Sequence, residues 1–141
     1  MKKVLGCLSM AALAIVLAVP APAQTITLKA SVPFDFVVGG RTMPAGEYVL
    51  STNGDSGVLQ VMNADKSIQA ALTVTNAADG PLEGDGAYLE FNRYGGDYFL
   101  AKIWDRGTGS GRSIPMSRTE REKAQSASLG KPEVMTVLAR R

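Results

Sequence analysis

Apolar and polar residues alternate along most of the chain beyond position 24. Between residues 26 and 38 every even position is apolar, and the odd positions are mostly polar. The apolar positions are Ile26, Leu28, Ala30, Val32, Phe34, Phe36 and Val38. A period of two is typical of a β-strand with one buried and one solvated face. Pro33 cannot donate a ladder hydrogen bond, so it predicts an edge position, a bulge or a bend between two shorter strands.

Segments rich in Gly, Pro, Asn and Asp divide the rest of the chain into further short strands, because these residues favour turns. The predicted strands cover residues 47–52, 58–62, 67–75, 87–94, 98–105, 112–116 and 134–139. One side of the strand 67–75 carries the apolar residues Ile68, Ala70, Leu72 and Val74. Seven or eight short strands predict a mostly β domain, built as an antiparallel β-sandwich or a partly open barrel.

The segment 87–105 predicts a β-hairpin whose loop consists of Gly95, Gly96 and Asp97. The apolar face then pairs Leu89 with Ile103, Phe91 with Ala101, and Arg93 with Phe99. The other face pairs Tyr94 with Tyr98, Glu90 with Lys102, and Tyr88 with Trp104. This register gives an opposite-charge pair and two aromatic pairs, whereas a two-residue loop mixes polar and apolar residues on both faces.

A single helix is predicted near the end of the chain. Ser117 and Glu120 have the spacing of a capping box, in which the serine oxygen accepts a backbone N–H of the first turn. The helix is expected over residues 118–129, with Gly130 as its end signal and Pro132 beyond it. Its apolar face is thin, which places it on the surface. The strand 134–139 is expected to close the sheet.

The first 23 residues have the three parts of a cleavable secretory signal peptide. Lys2 and Lys3 give a positive start, residues 4–19 form an uncharged apolar run, and 21–23 (APA) provide small residues at a cleavage site. The apolar run is shorter than the roughly 20 residues of a membrane span. We expect a single domain over residues 24–141, exported to the periplasm or the extracellular space, with no transmembrane span after cleavage.

The charge balance and the missing side chains exclude several function classes. The chain has 15 basic and 13 acidic residues, and Lys2 and Lys3 lie in the predicted signal, which leaves 13 of each sign. A balanced surface predicts no binding to nucleic acid. The chain has no His, and Cys7, its one cysteine, lies in the predicted signal. The domain therefore has no thiolate or imidazole for a metal site or for catalysis, and we expect no metal and no cofactor.

Two loops and a set of carboxylates are candidate sites for phosphate, for calcium and for catalysis. The glycine-rich segment 107–111 lacks the Gly-Lys-Ser/Thr ending of a phosphate loop, and the acidic loop 79–85 has the spacing of no known calcium loop. A catalytic carboxylate pair needs a defined separation, and the sequence singles out no pair. The candidates are Asp35, Glu47, Glu90, Asp97 and Asp105.

The aromatic face of the hairpin is the best candidate for binding. It consists of Tyr88, Tyr94, Tyr98 and Trp104, which offer flat apolar area with a polar edge. Such a face suits sugars, peptides or a partner protein. The competing interpretation is that these rings are structural and pack inside a second layer.

Three motifs resemble a group of small exported bacterial proteins of unknown function. They are VPFDFVVG at residues 32–39, MPAGEYVL at 43–50, and NRYGGDYFL at 92–100 followed by Trp104. The resemblance covers about residues 32–104. It implies export and a β fold, and it carries no functional residue.

These observations favour a non-enzymatic exported β domain with a binding or structural role at the cell envelope. Its partner is unknown, and an envelope glycan or protein fits the aromatic face. Two alternatives are a small carboxylate-dependent hydrolase and a barrel that carries a small apolar ligand.

Overall fold

The structure, a computed structural model, describes residues 25–53, 56–65, 70–80, 86–107, 109–127 and 130–141. The predicted signal peptide, residues 1–23, lies outside this part of the chain. The strands are β1 (Ile26–Val32), β2 (Phe36–Val38), β3 (Arg41–Met43), β4 (Gly46–Asn53), β5 (Val58–Asn63), β6 (Ala70–Val74), β7 (Asn76–Ala78), β8 (Ala87–Tyr94), β9 (Asp97–Asp105), β10 (Ser110–Ser113) and β11 (Glu133–Arg140). The helix α1 covers Arg118–Ser126.

The strands form one nearly closed, barrel-like sheet, which confirms the predicted mostly β fold. Nine strands follow one another in the order β3-β2-β9-β8-β11-β1-β4-β5-β6. β10 pairs with β9 on one side and with β7 on the other, and only Thr75 separates β7 from β6. β3 and β6 are the two ends of this order. A guanidinium nitrogen of Arg41 on β3 donates to the carbonyl of Ala70 on β6 at 3.0 Å.

The alternating segment 26–38 forms two strands that separate at Pro33, as predicted. β1 pairs antiparallel with β4 from Ile26 to Val32. After Pro33 the chain crosses one end of the barrel, where the ring of Phe34 stacks on Tyr98 with centroids 3.8 Å apart. β2 then pairs parallel to β9, opposite Phe99, so one pair of strands departs from the predicted antiparallel arrangement.

The interior of the barrel is filled by side chains of the described strands. The even positions of β1 are all buried, and Tyr48, Phe91 and Met43 are among the largest fully buried residues. Phe36 contacts Tyr48 and Phe91 edge to face, with centroids 5.1 and 5.4 Å apart. Apolar burial of this kind is the main stabilising term of a domain without disulfides. A packed interior does not favour the carrier alternative.

The hairpin β8–β9 corrects the predicted register over its outer half. Near its base Leu89 faces Ile103, Glu90 faces Lys102 and Tyr88 faces Trp104, as predicted. The register shifts between Glu90 and Phe91. Beyond that shift Phe91 faces Leu100, Arg93 faces Tyr98 and Tyr94 faces Asp97, so the loop is Gly95-Gly96 alone.

The physical reason is a β-bulge at Ala101. A bulge adds one residue to one strand, and each strand can then keep its apolar side chains inside on both sides of the bulge. Phe91 and Leu100 face the core on the loop side of the bulge, and Leu89 and Ile103 face it on the base side. A regular hairpin with a two-residue loop would place polar and apolar side chains together on each face. The bulge removes this problem.

The helix begins as predicted and ends earlier. The Ser117 hydroxyl accepts the N–H of Glu120 at 3.1 Å, which is the predicted N-cap bond. The helix stops at Ser126 because Ala127 leaves the helical conformation, with φ −74° and ψ 39°. The predicted span of 118–129 is therefore too long.

The predicted apolar side of strand β6 faces outwards. Ala71 is buried, whereas Leu72 and Val74 are more than 60% exposed. The pairing with β5 decides this orientation, because Ala71 faces the buried Val61 and Leu72 faces Gln60. Ile68, which shares the predicted side, lies outside the described residues.

Candidate functional site

The bulge divides the predicted aromatic face into separate environments. Tyr88 and Trp104 stay directly opposite each other, with centroids 6.2 Å apart. Tyr98 points towards the barrel end, where it stacks on Phe34. Tyr94 lies on the outer side and contacts Phe99 edge to face. The structure thus brings together only two of the four predicted binding residues.

The ring of Trp104 is covered by backbone and is only 5% exposed. Two glycines make this possible. A Cβ at Gly80 would lie 2.1 Å from the Trp104 ring, and one at Gly111 would lie 2.3 Å from it. The indole N–H donates to the Glu90 carboxylate at 2.9 Å, and the Lys102 ammonium lies 3.6 Å from the same carboxylate. This burial matches the structural interpretation of Trp104 and removes its ring from direct contact with a ligand.

Tyr88 is half-buried, and its ring has an aromatic and a cationic neighbour. The Trp104 ring stacks on it with an interplanar angle of 26°, and the Arg106 guanidinium lies 4.7 Å from the ring centroid. A cation at this distance from an aromatic face is attracted by the ring quadrupole. The polar edge of Tyr88 and the guanidinium group are therefore the parts that can meet a ligand.

Tyr94 is buried next to helix α1, so its ring is part of the packing between the helix and the hairpin. Burial raises the pKa of the Tyr94 phenol, and the nearby negative charge of Glu120 raises it further. Glu120 is itself buried and accepts a hydrogen bond from the Asn92 amide at 2.9 Å. Lys123 of the helix pairs with Asp97 at 2.7 Å. These contacts hold the helix against the outer part of the hairpin.

A cleft of about 550 Å³ opens beside Tyr88 on the outer surface of β8 and β11. We call it the Tyr88 cleft; its walls are Gly86, Ala87, Tyr88, Glu90, Arg106, Thr136, Leu138 and Ala139. Leu138 is 83% exposed and supplies apolar area. Glu90, Arg106, Thr136 and Tyr88 supply donors and acceptors. Few polar groups around apolar area, in a volume of this size, are usual for a small-molecule or sugar site.

Strand β11 is the part of this site that the sequence analysis missed. The sequence pattern predicts only that this strand closes the sheet, yet its outer face exposes Val134, Thr136 and Leu138. The sequence does contain a signal. Apart from Thr136, residues 134–139 are apolar on both faces of the strand, which is typical of a fully covered strand. An apolar strand face without a cover is a common feature of binding surfaces.

Most of the candidate catalytic carboxylates have structural partners. Asp35 accepts the N–H of Ala45 at 2.8 Å, and Glu90 binds Trp104. Asp97 pairs with Lys123, and the guanidinium of Arg141 donates twice to Asp105, at 3.0 and 2.8 Å. Glu47 lines a different cleft, between β1 and β11. These contacts do not favour the hydrolase alternative.

Within the described ranges, no group of three His, Cys, Asp or Glu side chains could hold a metal ion. None of the helices in the described part of the chain has the length and apolarity to cross a membrane.

No protein-family model, no curated protein and no solved structure matches this chain. The resemblance of its three motifs to small exported bacterial proteins therefore stays a prediction, and the function is argued from the site alone.

Proposed function

We propose that this protein is an exported, non-catalytic β-barrel domain that binds an envelope glycan in the Tyr88 cleft. The observation that carries the proposal is the chemistry of that cleft. An exposed leucine and an aromatic edge stand beside a carboxylate, a hydroxyl and a guanidinium group. Export itself rests on the signal-like residues 1–23.

Each wall of the cleft would contact a different part of the glycan. The apolar face of a sugar ring would pack on Leu138, which has little contact with the rest of the chain. Sugar hydroxyls would bond to Thr136 and to the polar edge of Tyr88. Arg106 would bind an anionic substituent, because a guanidinium group donates several hydrogen bonds in a fixed fork. The engaged carboxylates described above support a binding role over a hydrolytic one.

The test is a calorimetric titration of the purified protein with soluble cell-wall glycan fragments. Leu138→Ala is expected to weaken binding about tenfold, which is about 1.4 kcal/mol, because it removes exposed contact area. Leu138 is almost fully exposed, so this variant should fold normally. Trp104 reports binding independently, since it stacks on Tyr88 and donates to Glu90.

Leu72→Ala is the matched control. Leu72 is also an exposed leucine, at 63%, but it lies on the outer face of β6 and outside the Tyr88 cleft. The control should bind as the unmodified protein does. Equal affinity of the Leu138→Ala variant, or no heat and no change in Trp104 emission with any fragment, would overturn the proposal.

A further inference from the structure

The junction between β1 and β11, which we call the seam, is one of the two shortest pairings around the barrel; the other is the single residue pair between β2 and β9. β11 pairs with β8 from Glu133 to Ala139, and β1 pairs with β4 over its whole length. β1 and β11 themselves are joined by only two residue pairs, Lys29 with Arg140 and Ala30 with Ala139. The chain turns away at Pro33 to cross the barrel end, which leaves the rest of β11 without this neighbour.

One of the two seam pairs places two cations directly opposite each other. Lys29 and Arg140 both lie on the exposed outer face, and directly opposite residues have Cβ atoms about 5 Å apart. Among the described residues, neither of them forms an ion pair. Like charges in this position destabilise a sheet. In the hairpin, by contrast, the directly opposite residues Glu90 and Lys102 have opposite charges and attract each other.

A cleft of about 300 Å³ lies over this pair. Its walls include Lys29, Arg140, Ser31, Glu47 and Leu138. Ser31 adds an exposed hydroxyl, and Glu47 faces Ser31 across β1 and β4. The cleft therefore has two cations, one hydroxyl and one carboxylate, with a net positive charge.

We propose that the seam is an anion site, which binds a phosphate group between Lys29 and Arg140. Arg140 donates a fork of N–H groups to two phosphate oxygens, Lys29 supplies a point charge, and the Ser31 hydroxyl donates to a third oxygen. The bound phosphate replaces repulsion across the seam by two attractions and so strengthens the pairing of β1 with β11. Glu47 opposes binding. The two clefts share Leu138 and Ala139 as walls, but Lys29, Arg140 and Ser31 do not line the Tyr88 cleft. The phosphate proposal does not depend on the glycan proposal.

The first experiment compares the melting temperature of the purified protein in sodium phosphate and in sodium chloride at equal ionic strength. A ligand that binds only the folded state raises the melting temperature. Phosphate is expected to raise it for the unmodified protein. Lys29→Gln and Arg140→Gln are each expected to weaken the affinity for inorganic phosphate about tenfold, as measured by calorimetry. Glu47→Gln is expected to strengthen it.

Lys131→Gln is the control, because it removes one exposed positive charge beyond the seam. It should leave phosphate binding unchanged. A phosphate effect that is equal in the Lys29→Gln, Arg140→Gln and Lys131→Gln variants would overturn the proposal, since it would reflect general screening. Two exposed seam residues are tested, so one misfolded variant does not prevent a result.

Sedimentation with vesicles distinguishes the source of the phosphate group. The probes are phosphatidylglycerol in phosphatidylcholine, and phosphatidylcholine alone. Binding to the first that is lost in Lys29→Gln assigns a lipid headgroup. Binding of inorganic phosphate without sedimentation assigns a soluble phosphate compound. No binding in either assay overturns the site.

Discussion

The two edges of β11 show how unevenly one strand can be held. Its edge towards β8 pairs continuously from Glu133 to Ala139, whereas its edge towards β1 pairs at two residues. The inward side chains of β8 are fully buried, while those of β11 are only half-buried. The β8 edge therefore carries stability, and the β1 edge leaves room for clefts and for the exposed outer face of β11. Four measurements would break or sharpen this comparison.

The largest expected effect comes from a pair of residues that face each other across the β8–β11 junction. Leu89 and Val137 are direct partners. Leu89→Ala is expected to lower the free energy of unfolding by about 2–5 kcal/mol, because it leaves a cavity in the core. Val137→Ala is expected to cost about 1 kcal/mol, because its site is half-buried. Urea unfolding measures both, and equal losses would show that the inward side chains of β11 are packed as tightly as those of β8.

The next effect tests how β10 covers β9. Gly111→Ala is expected to cost about 1–3 kcal/mol, because the new Cβ would overlap the Trp104 ring. Trp104 emission should shift to longer wavelength as the ring is displaced. Gly96→Ala is the control, since no atom lies within 4 Å of a Cβ there. An unchanged emission spectrum in Gly111→Ala would mean that the ring is not confined in this way.

Alkaline pH tests two buried phenols, one on β4 and one at the end of β8. Burial raises the pKa of Tyr48 and of Tyr94. A raised pKa means that folding favours the neutral phenol, so stability is fully present below about pH 10, the pKa of a tyrosine in an unfolded chain. It falls as the pH rises through the higher folded pKa. Urea unfolding between pH 9 and 11 should show this decline, and Tyr94→Phe should make it shallower. A decline of equal slope in that variant would exclude Tyr94 as its source.

The smallest effect compares two cross-strand charge pairs. Lys29→Gln is expected to raise the free energy of unfolding by a few tenths of a kcal/mol at low salt, because it removes repulsion from Arg140. Lys102→Gln is expected to lower it by a similar amount, because it removes attraction to Glu90. High salt should remove both effects. The same sign for both variants would mean that charge pairing does not distinguish the two junctions.

The local features of this fold could be predicted from the residues alone. The period-two pattern identified β1, Pro33 marked its end, Ser117 marked the start of the helix, and the base of the hairpin had the predicted pairs. Each of these follows from the chemistry of one residue or of near neighbours along the chain. The aromatic site was predicted in part, because Tyr88 and Trp104 lie at the base of the hairpin, where the predicted register is kept.

Other features depended on partners that are distant in the sequence. The bulge at Ala101 keeps apolar side chains of both halves of the hairpin in the core. It also turns Tyr98 towards the core, away from the predicted aromatic face. The register with β5 decided that Leu72 and Val74 of β6 face outwards. The crossing after Pro33 left β11 partly unpaired and its outer face exposed. A sequence pattern gives the period of a strand, but only the packed neighbours decide which face is covered and which edge stays open.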